Sequence, residues 1–113
     1  MFAKLIVFDG PRSPEFVAAA NRAGRERIMP LLAADPAFLP AHRGSYILQA
    51  ADGARAVLLL ADTEAALDHA EKLVSESELL PGEDPALLPA PDRMGNYEVV
   101  YAAGPRFTEI DNS

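Results

Sequence analysis

Two histidines, three tyrosines and one lysine set into an apolar strand are the side chains of this 113-residue chain whose types suit chemistry. His42, beside Arg43 in a stretch read as the loop before a strand, carries an imidazole able to act as a general base near neutral pH. His69 stands next to Asp68 on a helical stretch, where the carboxylate would orient the ring towards a cavity. A lone loop histidine or a half-exposed helical one is, in most proteins, simply solvated. Tyr46, Tyr97 and Tyr101 fall in strand-like runs, where they either aim hydroxyls into a pocket or pack with one partner for the hydroxyl. Lys4 interrupts the face made by Phe2, Ile6 and Phe8. An unpaired ammonium there is costly, so Lys4 is expected to pair with Glu98 on a neighbouring strand, or to bind an anion.

No catalytic residue can be assigned from a motif. The chain has no Gly-rich phosphate cradle and no Gly-x-Ser-x-Gly nucleophile elbow. Neither histidine has a second histidine or a carboxylate at metal-ligand spacing, and with no cysteine there is no thiolate ligand, thiolate nucleophile or disulfide. No metal and no cofactor are therefore expected. The net charge of −7, with only Lys4 and Lys72 as lysines and the arginines scattered, argues against a nucleic-acid partner. The longest apolar run, 56–61, is far too short for a membrane span. The opening residues lack a signal peptide's basic region and cleavage site, and the absence of cysteine suits a reducing compartment, so a cytoplasmic location is expected.

The elements that must position these residues follow from pattern. Aromatic and β-branched residues from Phe2 to Phe8, stopped by Asp9-Gly10-Pro11, predict a strand. Ser13-Pro14-Glu15 is a helix start, followed by a stripe of Val17, Ala20, Gly24, Ile28 and Leu31; Pro30 should kink or shorten the helix, and Asp35-Pro36 ends it. Asp52-Gly53 predicts a two-residue hairpin turn between strands 45–51 and 54–61. A second helix begins at Asp62-Thr63-Glu64, with Leu67, Ala70, and Leu73 or Val74 inward and an Asp68–Lys72 pair outside, and closes at Pro81-Gly82. Residues 81–95, rich in proline, form a connection, and 96–103 a last strand. The domain is placed at 1–104, with 105–113 as a C-terminal tail.

The order β-α-β-β-α-β defines an α+β ferredoxin-like fold, whose right-handed crossovers and single hairpin give an antiparallel sheet ordered 4-1-3-2 with two helices on one face. Strands 1 and 3 are then central, and both are apolar on two sides: Phe2, Ile6 and Phe8 against Ala3, Leu5 and Val7, and Val57 and Leu59 against Ala56, Leu58 and Leu60. The edges carry Ser45, Gln49, Asn96 and Glu98. Two helices cover one face of such a sheet, so a homodimer through the open face is expected.

The chain also resembles the dimeric α+β barrel superfamily, in particular the small antibiotic-biosynthesis-monooxygenase-like domains common in bacteria. The likeness spans residues 2–103 and rests on Phe2-Ala-Lys-Leu-Ile-Val-Phe8, Ile28-Met-Pro-Leu-Leu32 before Phe38, Leu58-Leu-Leu-Ala-Asp-Thr-Glu-Ala-Ala-Leu67, and Asn96-Tyr-Glu-Val-Val-Tyr101. It implies face-to-face pairing of two sheets and a ligand cavity between sheet and helices. Relatives often carry a tryptophan near the end of strand 3, where this chain reads Leu60-Ala61-Asp62, and haem-degrading members use an Asn, Trp and His set that a chain without tryptophan lacks. What the resemblance implies is a homodimer binding a small apolar organic ligand. The alternative is a cofactor-independent monooxygenase of an aromatic substrate, supplying an apolar pocket and a base for reaction with O₂.

Overall fold

Seven residues, Phe2–Phe8, form β1 at the centre of the sheet. The computed structural model describes residues 1–111. Helix α1, Pro14–Arg22, starts where the sequence signals it: Ser13 Oγ accepts from Phe16 N at 3.1 Å, and Pro14 occupies the first turn, where its missing N–H costs nothing. The helix does not break at Pro30. It passes through a π-turn, Ala23–Ile28, into α2, Met29–Ala34. Pro30 cannot donate to the Glu26 carbonyl and its ring crowds it; widening the turn so that Met29 N–H reaches back to Gly24 O makes room. The extra residue in the wide turn rotates the stripe that follows it, while Phe16 and Ala23 lie before that shift takes effect. Phe16, Ala23 and Leu32 are the buried positions, in place of the expected Val17, Gly24 and Leu31.

Strand β2 is His42–Gln49 and β3 is Arg55–Ala61. The link between them is one residue longer than the expected two-residue turn. Gly53 N–H donates to Ala50 O, Ala50 N–H donates to Ala54 O, and Gly53 sits at φ 89°, so Asp-Gly fills the end of a three-residue loop with glycine in its left-handed position. Helix α3, Glu64–Glu76, is capped by Thr63, whose Oγ1 accepts from Ala66 N, and buries Leu67 and Ala70.

Strand β4 is Arg93–Glu98, three residues ahead of the expected start. Its length is set by its neighbour: Arg93 pairs with Val7 and Glu98 with Phe2, the first residue of β1. Val99 N–H still reaches Met1 O, and beyond it there is no strand left to pair with. Tyr101 therefore lies off the sheet. Residues 103 to 109 turn back on themselves through an Ala103–Glu109 bridge, and Arg43 Nη2 donates to Asp111 O. The last two positions of the expected tail lie outside the described residues.

The sheet order is β2-β3-β1-β4, antiparallel throughout, which is the expected 4-1-3-2 seen from the other edge. The chain is an α+β ferredoxin-like domain. Its helices cover the face that carries Phe2, Lys4, Ile6 and Phe8. Lys4 reaches Glu71 on α3, Asn96 reaches Asp68 on α3, Arg55 reaches Asn21 on α1, and Phe8 packs on Phe16. Leu32, Phe38, Leu59, Ala61, Leu67 and Ala70 make the core at one end of this layer. Among the described residues no helix is long and apolar enough to cross a membrane.

Candidate functional site

His42 opens β2 instead of sitting in the preceding loop. Its Nε2 lies 2.7 Å from Ser45 Oγ and its ring 5.5 Å from that of Phe38. On a regular strand, residues three apart face opposite sides. A bulge between His42 and Gly44 inserts one residue and brings His42 and Ser45 to the same, helix-covered side. Together with Met29, Leu32, Ala33, Phe38 and Leu39 they line an apolar crevice of about 60 Å³ between α2 and β2. An imidazole hydrogen-bonded to a hydroxyl is half of a nucleophile–base–acid set. Among the described residues no carboxylate bonds His42 to complete it.

The acid–imidazole pair belongs to the other histidine. His69 Nε2 lies 3.0 Å from Asp35 Oδ2, across from α3 to the end of α2, and not against its neighbour Asp68. Asp35 has a prior engagement: Oδ2 accepts from Phe38 N at 2.8 Å and Ala37 N at 3.2 Å, an Asx-type turn that fixes Phe38 in the core. The Phe38 N–H bond, with His69 beside it, holds the Asp35 carboxyl below the usual carboxylate range against the opposing effect of burial. Both histidines therefore flank the segment 35–45, each with one polar partner.

Lys4 is 3% exposed, yet it does not meet Glu98, which sits opposite Phe2. Its Nζ donates to Glu71 Oε1 at 2.6 Å and lies 3.5 Å from Asp68 Oδ1. Asp68 and Glu64 also receive Asn96 Nδ2, at 2.8 and 3.2 Å. Asp68 is thus turned towards the sheet, and among the described residues no Asp68–Lys72 ion pair forms. Lys4 is a satisfied cation joining β1 to α3.

Tyr46 and Tyr97 point away from both histidines. Alternation along the paired strands places Ala3, Leu5 and Val7, Ala56, Leu58 and Leu60, Tyr46 and Leu48, and Tyr97 on the face opposite the helices. Tyr46, Leu48 and Tyr97 are each more than half exposed. Nothing in the described chain gives this face a second layer of helix.

Three polar residues escaped the sequence reading. Ser45 was legible as a polar residue on an edge strand, but its meeting with His42 needs the bulge. Glu83, in the proline-rich connection, buries its side chain to 2% exposure; Oε2 accepts from Arg27 Nε at 2.8 Å and Leu80 N at 2.7 Å. Burial alone would raise its carboxyl, and those two donors outweigh it, so the group lies below its ordinary range. Arg55, at the start of β3, is 7% exposed and bonds Asn21 Oδ1 at 2.7 Å. Among the described residues no group of three or more His, Asp or Glu side chains is arranged to hold a metal ion.

No protein-family profile, curated protein or solved structure matches this chain.

Proposed function

We propose that this domain works as a homodimer of the dimeric α+β barrel kind, two sheets closing face to face, with the crevice beside Phe38 and His42 receiving a small apolar organic ligand. The observation that carries the pairing is the open face: leucine and valine at its centre, tyrosine and leucine at its edges, and no layer over it. Such a contiguous apolar surface is unusual on a monomer and normal at an interface centre, where aromatic residues are enriched and charges scarce. Four strands about 4.8 Å apart and about seven residues long give a sheet roughly 20 Å on a side. Two such faces in contact bury on the order of 1,000 Å², the size at which specific interfaces begin.

The crevice supports binding better than catalysis. Its volume of about 60 Å³ is well under the roughly 300–1,000 Å³ typical of sites for drug-sized molecules, so a ligand there is small. The monooxygenase alternative needs room for an aromatic substrate and a base with access to it; His42 supplies the base, and the room would have to come from movement of α2 against β2. Lack of cysteine supports a reducing compartment such as the cytoplasm. Native mass spectrometry of the purified chain tests both parts. The expected spectrum is a two-chain species, with a small organic adduct on a fraction of it; a one-chain species at micromolar concentration overturns the pairing, and adduct-free dimers with no binding of small apolar probes overturn the ligand.

A further inference from the structure

Arg55 is a buried cation for which no described residue provides a counter-charge. Its side chain rises from β3 under α1, the residue is 7% exposed, and it donates to the neutral oxygen of Asn21. No Asp or Glu among the described residues lies within ion-pair distance of it, whereas Arg12, Arg22, Arg27, Arg43 and Arg93 each have one. Burial pushes its pKa down from the ordinary arginine value, the mark of a charge paying for lost water, yet a guanidinium stays protonated. An arginine kept for packing would do better as methionine or leucine, because an unpaired buried charge is costly.

Its partner Asn21 lines an open groove of about 430 Å³ between α1 and the β2–β3 loop. Asn21, Gln49 and Arg12 line it together with apolar Pro14, Val17 and Ala51. Gln49 is the cross-strand partner of Arg55, which puts the two on the same face of the sheet. Because Arg55 donates to Asn21 Oδ1, the Asn21 amide is fixed with its Nδ2 donors turned elsewhere. Asp52, the one carboxylate on the groove's wall, is engaged with the loop: Oδ1 accepts from Ala54 N at 3.0 Å, and the carboxylate packs against Gly10, where a Cβ would meet it at 2.4 Å. The groove thus offers the Asn21 and Gln49 amides as donors beside the loop-bound Asp52 carboxylate, and is apolar along one side.

We propose that this groove binds a small organic carboxylate, its anionic head taken by the Asn21 and Gln49 amides, with the Arg55 charge acting through Asn21, and its apolar part laid along Val17 and Pro14. The volume falls within the range of ordinary ligand sites. An acidic protein repels anions at long range, so the affinity has to come from this local set, with the two amides donating to the carboxylate and the buried Arg55 charge acting through Asn21. The site is separate from the open sheet face and from the Phe38 crevice, and stands or falls independently of them.

The test is a titration of the full chain with benzoate, with benzyl alcohol and inorganic phosphate as controls, followed by NMR of backbone, Asn and Gln amides and the Arg Nε–H groups. The expected result is saturable shifts centred on Asn21, Gln49 and Arg55 with a dissociation constant of about 1 mM or tighter, and binding at least about tenfold weaker for the alcohol. Linear shifts, shifts located elsewhere, or equal response to the alcohol overturn the proposal; phosphate binding as tightly as benzoate overturns its organic part. Arg55→Met should keep the thermal transition and lose benzoate binding by about tenfold or more. Should that variant fail to fold, Asn21→Ala decides: severalfold weaker binding supports the site, and unchanged binding overturns it.

Discussion

At the scale of single residues, the buried charges divide by what surrounds them. Lys4 is enclosed, but Glu71 and Asp68 are about half exposed and can be rehydrated if they lose it. Removing the two sides of this contact should therefore be unequal. Lys4→Met is expected to change stability by no more than about 1 kcal/mol, while Glu71→Ala with Asp68→Ala leaves an enclosed ammonium unpaired and should cost about 3 kcal/mol. Urea unfolding of the three proteins checks this, and equal losses would contradict it. Asp35 gives a pH signature. Its folded carboxyl is held below the ordinary aspartate value of 3.8, chiefly by the Phe38 N–H bond, so the charged form is favoured by folding. That stabilisation is present above the ordinary carboxylate range and is lost as the pH falls through the depressed folded value. Asp35→Asn should be less stable than the parent at neutral pH, and the two stability curves should converge as the pH is lowered below about 3.8. Curves that stay parallel would show that the charge is not what matters.

At the scale of elements, most of the chain's plan was legible and the misses share a cause. The starts at Ser13-Pro14 and Thr63 are local signals, because a hydroxyl and the N–H three residues later are enough to define them. The sheet order followed from the order of elements with right-handed crossovers and one hairpin, and the two-sided apolar strands 1 and 3 agreed with it, a pattern internal to each strand. What could not be read depended on a neighbour. Strand β4 is cut to the length of β1, so after the Val99 N–H bond to Met1 O the run through Tyr101, as strand-like as anything before it, leaves the sheet. Lys4 found Glu71 because β1 turns this side to α3, and the sequence does not say which of two apolar faces takes the helices. The π-turn before Pro30 moved the buried position after it from Leu31 to Leu32, and the bulge at His42 joined it to Ser45. The β2–β3 loop offers a direct check on such local geometry. Gly53 has φ 89°, and a Cβ there would come 2.5 Å from Arg12 O, a backbone atom with nowhere to go. Gly53→Ala is expected to cost about 2 kcal/mol, lowering the melting temperature by several degrees, whereas the same change at Gly24, whose nearest foreign atom is 3.9 Å away, should be neutral or stabilising.

For the whole molecule, the account rests on a sheet with helices on one side and apolar residues on both. A single copy leaves Leu5, Val7, Leu58 and Leu60 covered only by their neighbours, flanked by exposed Tyr46, Leu48 and Tyr97. Pairing two copies through this face hides it; keeping it wet invites aggregation. A charge at its centre should separate the two outcomes without disturbing the helix-covered core, because Leu58 faces away from Leu59 and Leu67. The most direct measurement is sedimentation velocity on the parent chain and on Leu58→Glu at matched micromolar concentrations, with circular dichroism to confirm that both are folded. The account predicts that the parent sediments as two chains and the variant as one; a folded parent that sediments as one chain throughout would contradict it.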